Sequence, residues 1–274
     1  MVHPFSNSTL FFSASNDRNA TARVIFAQRS PMEFSNQNKM HLRDSGRTLV
    51  IMAKAPRPGM VKTRLAQRLP VEAVTELYRC LLDDTMTLAR SLRTVEVAIM
   101  CPASHVEELE GLARGLMNVV PQKGDGLAAG LTSVFAHFTA DGKQRVVAFN
   151  SDSPHLPASI LGNAFEALTN HDVVVGPTND GGYYLVGAKA AQPMLFYDDG
   201  MGTKSALETL VSRARKLRLS VAFTDPFYDI DEARDLTRLA AELRLAPARA
   251  PRTALWLKQW ELAVAQLQTG TEDL

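Results

Sequence analysis

The chain has 274 residues, 46% of them hydrophobic and 22% charged, with a formal net charge of +1. That length suits one large α/β domain or two small ones, and the composition is that of a soluble globular protein. The near-zero charge excludes a global field that would gather nucleic acid or anionic lipid. No apolar run reaches the length of a membrane-spanning helix. The two cysteines, Cys80 and Cys101, fall in no CxxC or Cys/His pattern that would suggest zinc, so two buried thiols in a reducing compartment are expected.

Residues 1–46 differ from the rest. Ser and Asn are frequent, and Arg18, Arg23, Arg29, Lys39 and Arg43 outnumber the acids. An Arg- and Ser-rich leader can be an organelle transit peptide. The simpler expectation is a disordered extension, or a leader read from an upstream start with Met40 as the working start. From residue 47 to 274 the pattern alternates strand and helix as one domain. Strands are expected at 48–53, 95–100, 145–150, 171–176, 183–188 and 220–224, several of them continuously apolar as strands buried on both faces are. Helices are expected at 71–92, 104–115, 126–138, 157–168, 203–217, 231–243 and 253–267. Pro70 and Pro157 suit helix starts, and Thr203 a cap. The last stretch, with Leu255, Trp256, Trp260 and Leu262, is expected to dock on the core. Alternation of this kind implies a single doubly wound α/β domain with a mostly parallel sheet flanked by helices. The Pro-Thr-Asn-Asp-Gly-Gly joint after 171–176 can be a hairpin-like turn that sets one strand pair antiparallel, which would make the sheet mixed.

The most informative segment is AKAPRPGMVKTRLA at 53–66. It places Lys54, Lys62, Thr63 and Arg64 on a Pro/Gly-punctuated loop leaving the first strand. Open α/β sheets bind ligands outside the carboxyl ends of their strands. Backbone N–H groups with added Lys and Arg suit a diphosphate there. The alternative is a solvated basic turn.

Three further segments carry chemistry. Asp152, in Asn150-Ser151-Asp152-Ser153-Pro154, ends a central strand and can hold Mg²⁺ or Mn²⁺ with hard oxygen ligands; the alternative is a cap or Asx turn. Asp229 and Asp231 can point to one side of an extended segment, and one of them could complete that metal site with Asp152, although Asp231 is also a good N-cap. In Asn179-Asp180-Gly181-Gly182-Tyr183-Tyr184, Asp180 can accept a proton or hold a sugar hydroxyl, the glycines admit a close ligand, and Tyr183 can line a sugar or base pocket; an ordinary Asp-Gly turn is the alternative. Gln122-Lys123-Gly124-Asp125-Gly126 reads as a ligand loop or a helix start. His155, near Asp152, is expected to be a surface turn histidine. No Walker loop, GxGxxG, GxSxG elbow or Ser/His/Asp arrangement is present.

Taken in order, AKAPRPGMVKTRLA, the Gln122-x-Gly124 loop, NSDSPHLP, GPTNDGGYYLVG, MGT at 201–203 and YDIDEARDL resemble the GT-A-fold glycosyltransferase-like proteins with a DUF2064-type domain. That family includes transferases linked to arsenosugar biosynthesis. More distantly the loop is similar to that of small guanylyltransferases of the phospholactate and molybdenum-cofactor types. The resemblance spans about residues 48–245. It implies a GT-A, nucleotide-diphospho-sugar transferase fold that binds a nucleotide-sugar, with Lys62, Thr63 and Arg64 at the diphosphate, Asp152 as the metal-binding acid of a DxD-like element and Asp180 beside sugar or acceptor. Three departures stand out: Asn150 replaces the first acid of DxD, Met201 stands where the family often has Trp, and Leu127-Ala128-Ala129-Gly130 replaces the usual Leu-Gly-Glu-Arg. The expected function is cytoplasmic, metal-dependent transfer of a sugar from a nucleoside diphosphate sugar to a small acceptor, with Mg²⁺ or Mn²⁺ and neither nucleic acid nor membrane as partner. The alternatives are a nucleotidyltransferase that releases pyrophosphate and a non-catalytic nucleotide-binding module.

Overall fold

In the computed structural model the described residues are 46–197 and 205–269, all within one compact unit, Lys39–Leu274. The extension expected at 1–46 falls outside them apart from Gly46, as do Met40, Thr203 and the MGT segment.

Seven strands form one sheet: β1 Arg47–Met52, β2 Glu96–Cys101, β3 Asn118–Pro121, β4 Arg145–Asn150, β5 Val173–Pro177, β6 Tyr183–Ala188 and β7 Val221–Phe223. Their order is β3-β2-β1-β4-β6-β5-β7. All neighbours pair in parallel except those of β6, which runs antiparallel to β4 and β5. The mixed doubly wound sheet expected from the alternation is therefore the observed one. Strand β3 was not anticipated. It is four residues long, half-exposed and ends in proline, so it lacks the apolar run that marks a strand buried on both faces.

The helices are α1 Val71–Ser91, α2 Val106–Ala113, α3 Gly126–Ala140, α4 Ala158–Asn170, α5 Pro193–Phe196, α6 Ala206–Lys216, α7 Ala233–Leu245, α8 Pro251–Gln259 and α9 Glu261–Thr269. Side chains alternate across β1. Leu49 and Ile51 face a layer built from α1, α2 and α4, while Val50 faces α3, α5 and α6. Helix α1 is buried on both sides. Its Leu82 and Met86 meet the sheet, and its Leu77 and Leu81 meet α7, α8 and α9. The single C-terminal helix expected at 253–267 is two, broken at Trp260, whose φ is −103° and ψ 18°. It docks on the core through Trp256, Leu257, Val264 and Leu267, whereas Leu255 and Leu262 face outward. Among the described residues no helix is long and apolar enough to cross a membrane.

Asp84 ties this third layer to α1. Only 3% exposed, it accepts hydrogen bonds from Thr253 N and Thr253 Oγ1 (both 2.8 Å) and from Arg252 N (3.2 Å) at the start of α8. The orphan amides of a helix start are satisfied here by a side chain from another helix. Asp84→Ala is expected to lower the unfolding free energy by about 2 kcal/mol, since it strands buried donors. Urea melts followed through Trp256 and Trp260 would check this, and a loss below about 0.5 kcal/mol would show that solvent or another group caps α8.

Candidate functional site

Strand β1 pairs with β2 on one side and with β4 on the other, and Met52 lies opposite both Met100 and Asn150. Strand order reverses here, and such a switch point leaves a crevice at the carboxyl ends of the strands. A cleft of about 580 Å³ opens at this edge, within the range of small-molecule sites. Lys54, Lys62, Thr63, Gln122, Asp152 and Asp231 are among its lining residues.

The first turn of the loop after β1 is held by buried side chains. Lys54 N donates to Tyr78 Oη (3.1 Å) and Ala55 N donates to His105 Nδ1 (2.9 Å). Tyr78 also bonds Ser151 Oγ at 3.0 Å, which links the β1 loop to the β4 loop. Burial and the Asp152 charge push the Tyr78 hydroxyl far above its usual range, so it stays protonated. Burial, then the charge of Arg57, lowers the His105 pKa, which suits Nδ1 as an acceptor. Arg57 pins the loop outward, to Glu108 and to Ser104 O. The amides of residues 54 and 55 are thus already engaged. Lys62 itself takes a left-handed conformation, φ 49°, the kind of local turn that gathers successive N–H groups into an anion cradle.

Lys62 Nζ lies 2.9 Å from Asp152 Oδ2, and its side chain is only 5% exposed. The loop carrying Asp229 is fastened to the Asp152 loop on both sides: Ile230 N donates to Asp152 O (3.1 Å) and Ser153 Oγ donates to Tyr228 O (2.9 Å). Burial, and then the charge of Asp152, raises the Asp229 carboxyl to about 6. Asp152 and Asp229 are therefore brought together. Asp231 lines the same cleft, but its carboxylate is taken by a cation. Its Oδ2 meets Arg64 at 2.6 Å, and it is not the N-cap of α7 either, since Glu232 takes that place in a capping box with Asp235. Among the described residues no group of three Asp, Glu, His or Cys side chains converges on one metal position. The donor set is two carboxylates, which fits Mg²⁺ or Mn²⁺ if phosphate oxygens complete the shell, the usual way Mg²⁺ is held beside nucleotides.

The remaining candidates take other places. Gln122 Nε2 donates to Gly124 O (2.8 Å) and Gly126 O (3.2 Å), so its segment is both a ligand-side loop and the entry to α3. A Cβ at Gly130 would come within 2.8 Å of Met52 Cε and 2.9 Å of Gln122 Oε1, so glycine there lets α3 approach this wall of the cleft. Asp180 does form an Asx-type turn: its Oδ1 accepts from Thr178 Oγ1 (2.5 Å) and Gly182 N (3.2 Å) around Gly181 at φ 88°. That turn lies at the start of β6, on the same edge of the sheet, but outside the lining of the cleft. Tyr183 packs against the α3–α5–α6 layer, with burial raising its hydroxyl well above the usual range.

Sequence reasoning missed three supports. Tyr78 and His105 sit in stretches that read simply as helical, with no sign that either caps a loop. His155, expected on the surface, is 1% exposed. Its ring packs on Phe227 and Tyr228, and its Nε2 lies 3.8 Å from Glu242 Oε2. Arg249 donates to its carbonyl, and Arg238 lies over the Tyr228 ring. The histidine thus backs both acid loops.

Two tests follow from this framework. Tyr78→Phe is expected to cost about 1–2 kcal/mol and to speed hydrogen exchange of the Lys54 amide roughly tenfold; unchanged exchange would mean another group holds that amide. Burial pushes the His155 pKa from 6.5 down to about 4, outweighing the nearby Glu242. The unfolded chain then takes up more protons between those values, so the stability owed to neutral His155 is complete above about pH 6.5 and is lost as pH falls to about 4. Asp229 acts in the opposite sense, because its native carboxyl protonates first. Wild type and His155→Gln should therefore be compared in denaturant melts. The variant is expected to lose stability less steeply over that window, and parallel curves would remove His155 as a source of pH dependence.

The model of the family described as "Uncharacterized protein conserved in bacteria (DUF2064)" matches residues 85–203. A candidate nucleotide-diphospho-sugar transferase from Desulfovibrio desulfuricans G20 superposes with a TM-score of 0.76 at 26% identity, covering 81% of this chain and 98% of that one. The fold is also that of a nucleotidyl transferase from Methanothermobacter thermautotroptrophicus (TM-score 0.52, 17% identity, 73% of this chain and 99% of that chain). A cytidylyltransferase from Leptospira borgpetersenii serovar Hardjo-bovis shares it as well (TM-score 0.51, 12% identity, 80% and 96%). No curated protein matches. The DUF2064 resemblance carried by the motifs is borne out, and the fold is of the nucleotide-diphospho-sugar transferase type.

Proposed function

We propose that the chain is a cytoplasmic transferase that binds a nucleoside diphosphate sugar in the switch-point cleft, together with Mg²⁺ or Mn²⁺, and moves the sugar to a small acceptor. The observation that carries this is the meeting of Lys62, Asp152 and Asp229 where β1 and β4 end. Lys62 and Asp152 line one cleft, Asp229 lies close enough behind Asp152 to feel its charge, and the fold is shared with a candidate nucleotide-diphospho-sugar transferase.

Lys62 and Lys54 would bind phosphate oxygens as point charges, with Arg64 adding a forked contact from the rim. The Gln122–Gly126 loop would border the nucleoside. Asp152 and Asp229 would hold the metal, which when bound supplies neutralisation of the charge that develops on the diphosphate leaving group. Asp180, aligned by Thr178 and Gly182, is the group proposed to take the acceptor hydroxyl's proton, with Gly181 and Gly182 beside the sugar. One observation favours nucleotidyl transfer as a second reading: the two acids come from separate loops, with Asn150 in place of a DxD acid. Such a pair also seats a triphosphate.

A thermal-shift panel of nucleoside diphosphates, their sugars and triphosphates, each with and without Mg²⁺ or Mn²⁺, is the test. A metal-dependent rise with one nucleoside diphosphate sugar is expected, with nucleoside diphosphate as product. A rise only with a triphosphate, and pyrophosphate as product, would select nucleotidyl transfer. Lys62→Ala and Arg64→Ala are each expected to weaken nucleotide binding several-fold. Arg64→Ala should leave the melting temperature nearly unchanged, since that side chain is 64% exposed. Equal nucleotide affinity in wild type and both variants would remove the loop from the site.

A further inference from the structure

The Lys62 ammonium sits on the carboxylate that would bind the cation. It is 2.9 Å from Asp152 Oδ2, on a side chain 5% exposed. The backbone reinforces this placement, because Lys62 holds φ 49°, a conformation L residues enter only with support from their surroundings. The neighbours supply that support: Val61 and Leu65 on either side are buried, and Ala66 N donates to Lys62 O at 3.1 Å. The second acid, Asp229, lies beside the first through the Ile230–Asp152 backbone bond.

We infer that Lys62 is a resident stand-in for the divalent cation, so that the metal enters only when a phosphate chain arrives and draws the ammonium away from Asp152. This rests on the proposed nucleotide site and adds a binding order to it. A dication and an ammonium on one carboxylate repel each other at close range in a partly desolvated cleft. They become compatible once the negative charge of a diphosphate lies between them. Lys62 has the reach for this exchange, as a compact charge on a flexible four-carbon stem. The same pairing keeps Asp152, whose side chain is 24% exposed, from being a partly desolvated anion without a partner. Nucleotide and metal would then bind with positive coupling, each raising the affinity of the other by the same factor.

The experiment is calorimetric titration of Mn²⁺ alone into the nucleotide-free protein, using wild type, Lys62→Met and Lys62→Gln. Two replacements are used so that a folding defect in one does not decide the result, and thermal melts confirm that each is folded. Both variants are expected to bind one Mn²⁺ at least about tenfold more tightly than wild type, and adding Asp152→Asn to either is expected to abolish the gain. Equal Mn²⁺ affinity in wild type and variants would overturn the inference, and so would no binding by any of them, because Lys62 would not then be what excludes the metal. A nucleotide panel with no response, alongside tighter Mn²⁺ binding in the variants, would sink the nucleotide reading and leave the cation competition standing.

Discussion

Strand β1 is hydrogen-bonded on both edges by parallel strands, β2 and β4, and the rest of the molecule follows from that constraint. A central parallel strand must be covered on both faces, which requires helices above and below it. Because the chain leaves β1 first towards β2 and returns later to β4 on the other side, the connections part at the carboxyl end of β1. Tyr78 of α1 and the start of α3 line that gap. The cleft is therefore a product of topology, and its lining comes mainly from the segments after β1, β2, β3 and β4, with Asp231 added from the segment before α7.

Those loops carry charges of both signs, and most of the surrounding structure keeps them apart or paired. Tyr78 and His105 take the first two amides of the β1 loop, so the basic segment cannot collapse into an ordinary turn. Two backbone-level fastenings hold the Asp229 segment against the Asp152 loop, so the two acids share a site although 77 residues separate them in the chain. Buried His155 and Tyr228, with the partly exposed Glu242 of α7, join the two loops to the third helical layer. That layer is fixed to α1 by Asp84. Helix α1 thus connects the C-terminal helices to the cleft: it meets α8 through Asp84 and the cleft through Tyr78.

Much of the site was legible as residue types. Lys62, Asp152 and Asp229 stand in compact segments whose Pro, Gly and Asp content marks them as loops at strand ends; the cleft is lined by the first two, with Asp229 behind Asp152. The partners of these residues were not legible. Nothing in the helical pattern around Tyr78 marks its hydroxyl as the tie between two loops, because a buried tyrosine in a helix has the same periodicity whether or not its hydroxyl is used. His155 was misplaced for a related reason. Short Pro-flanked segments usually run over the surface, but this one is covered by Phe227, Tyr228 and α7, and only tertiary packing supplies that cover. Asp231 illustrates a competition between partners: its spacing from Asp229 suits a shared cation, yet Arg64, 167 residues away, takes it.

The sequence by itself determined the class of the fold. Continuous apolar runs dictate strands buried on both faces, their alternation with amphipathic helices dictates a mainly parallel sheet, and the Asp-Gly-Gly joint dictates the one reversed strand, β6. These properties are local and are read over a few residues. The strand order, the edge strand β3, the break at Trp260 and the pairing of Lys62 with Asp152 were decided only by the tertiary structure. Each depends on which segments, distant in sequence, compete for the same buried surface or the same charge, and that competition is settled by packing rather than by pattern.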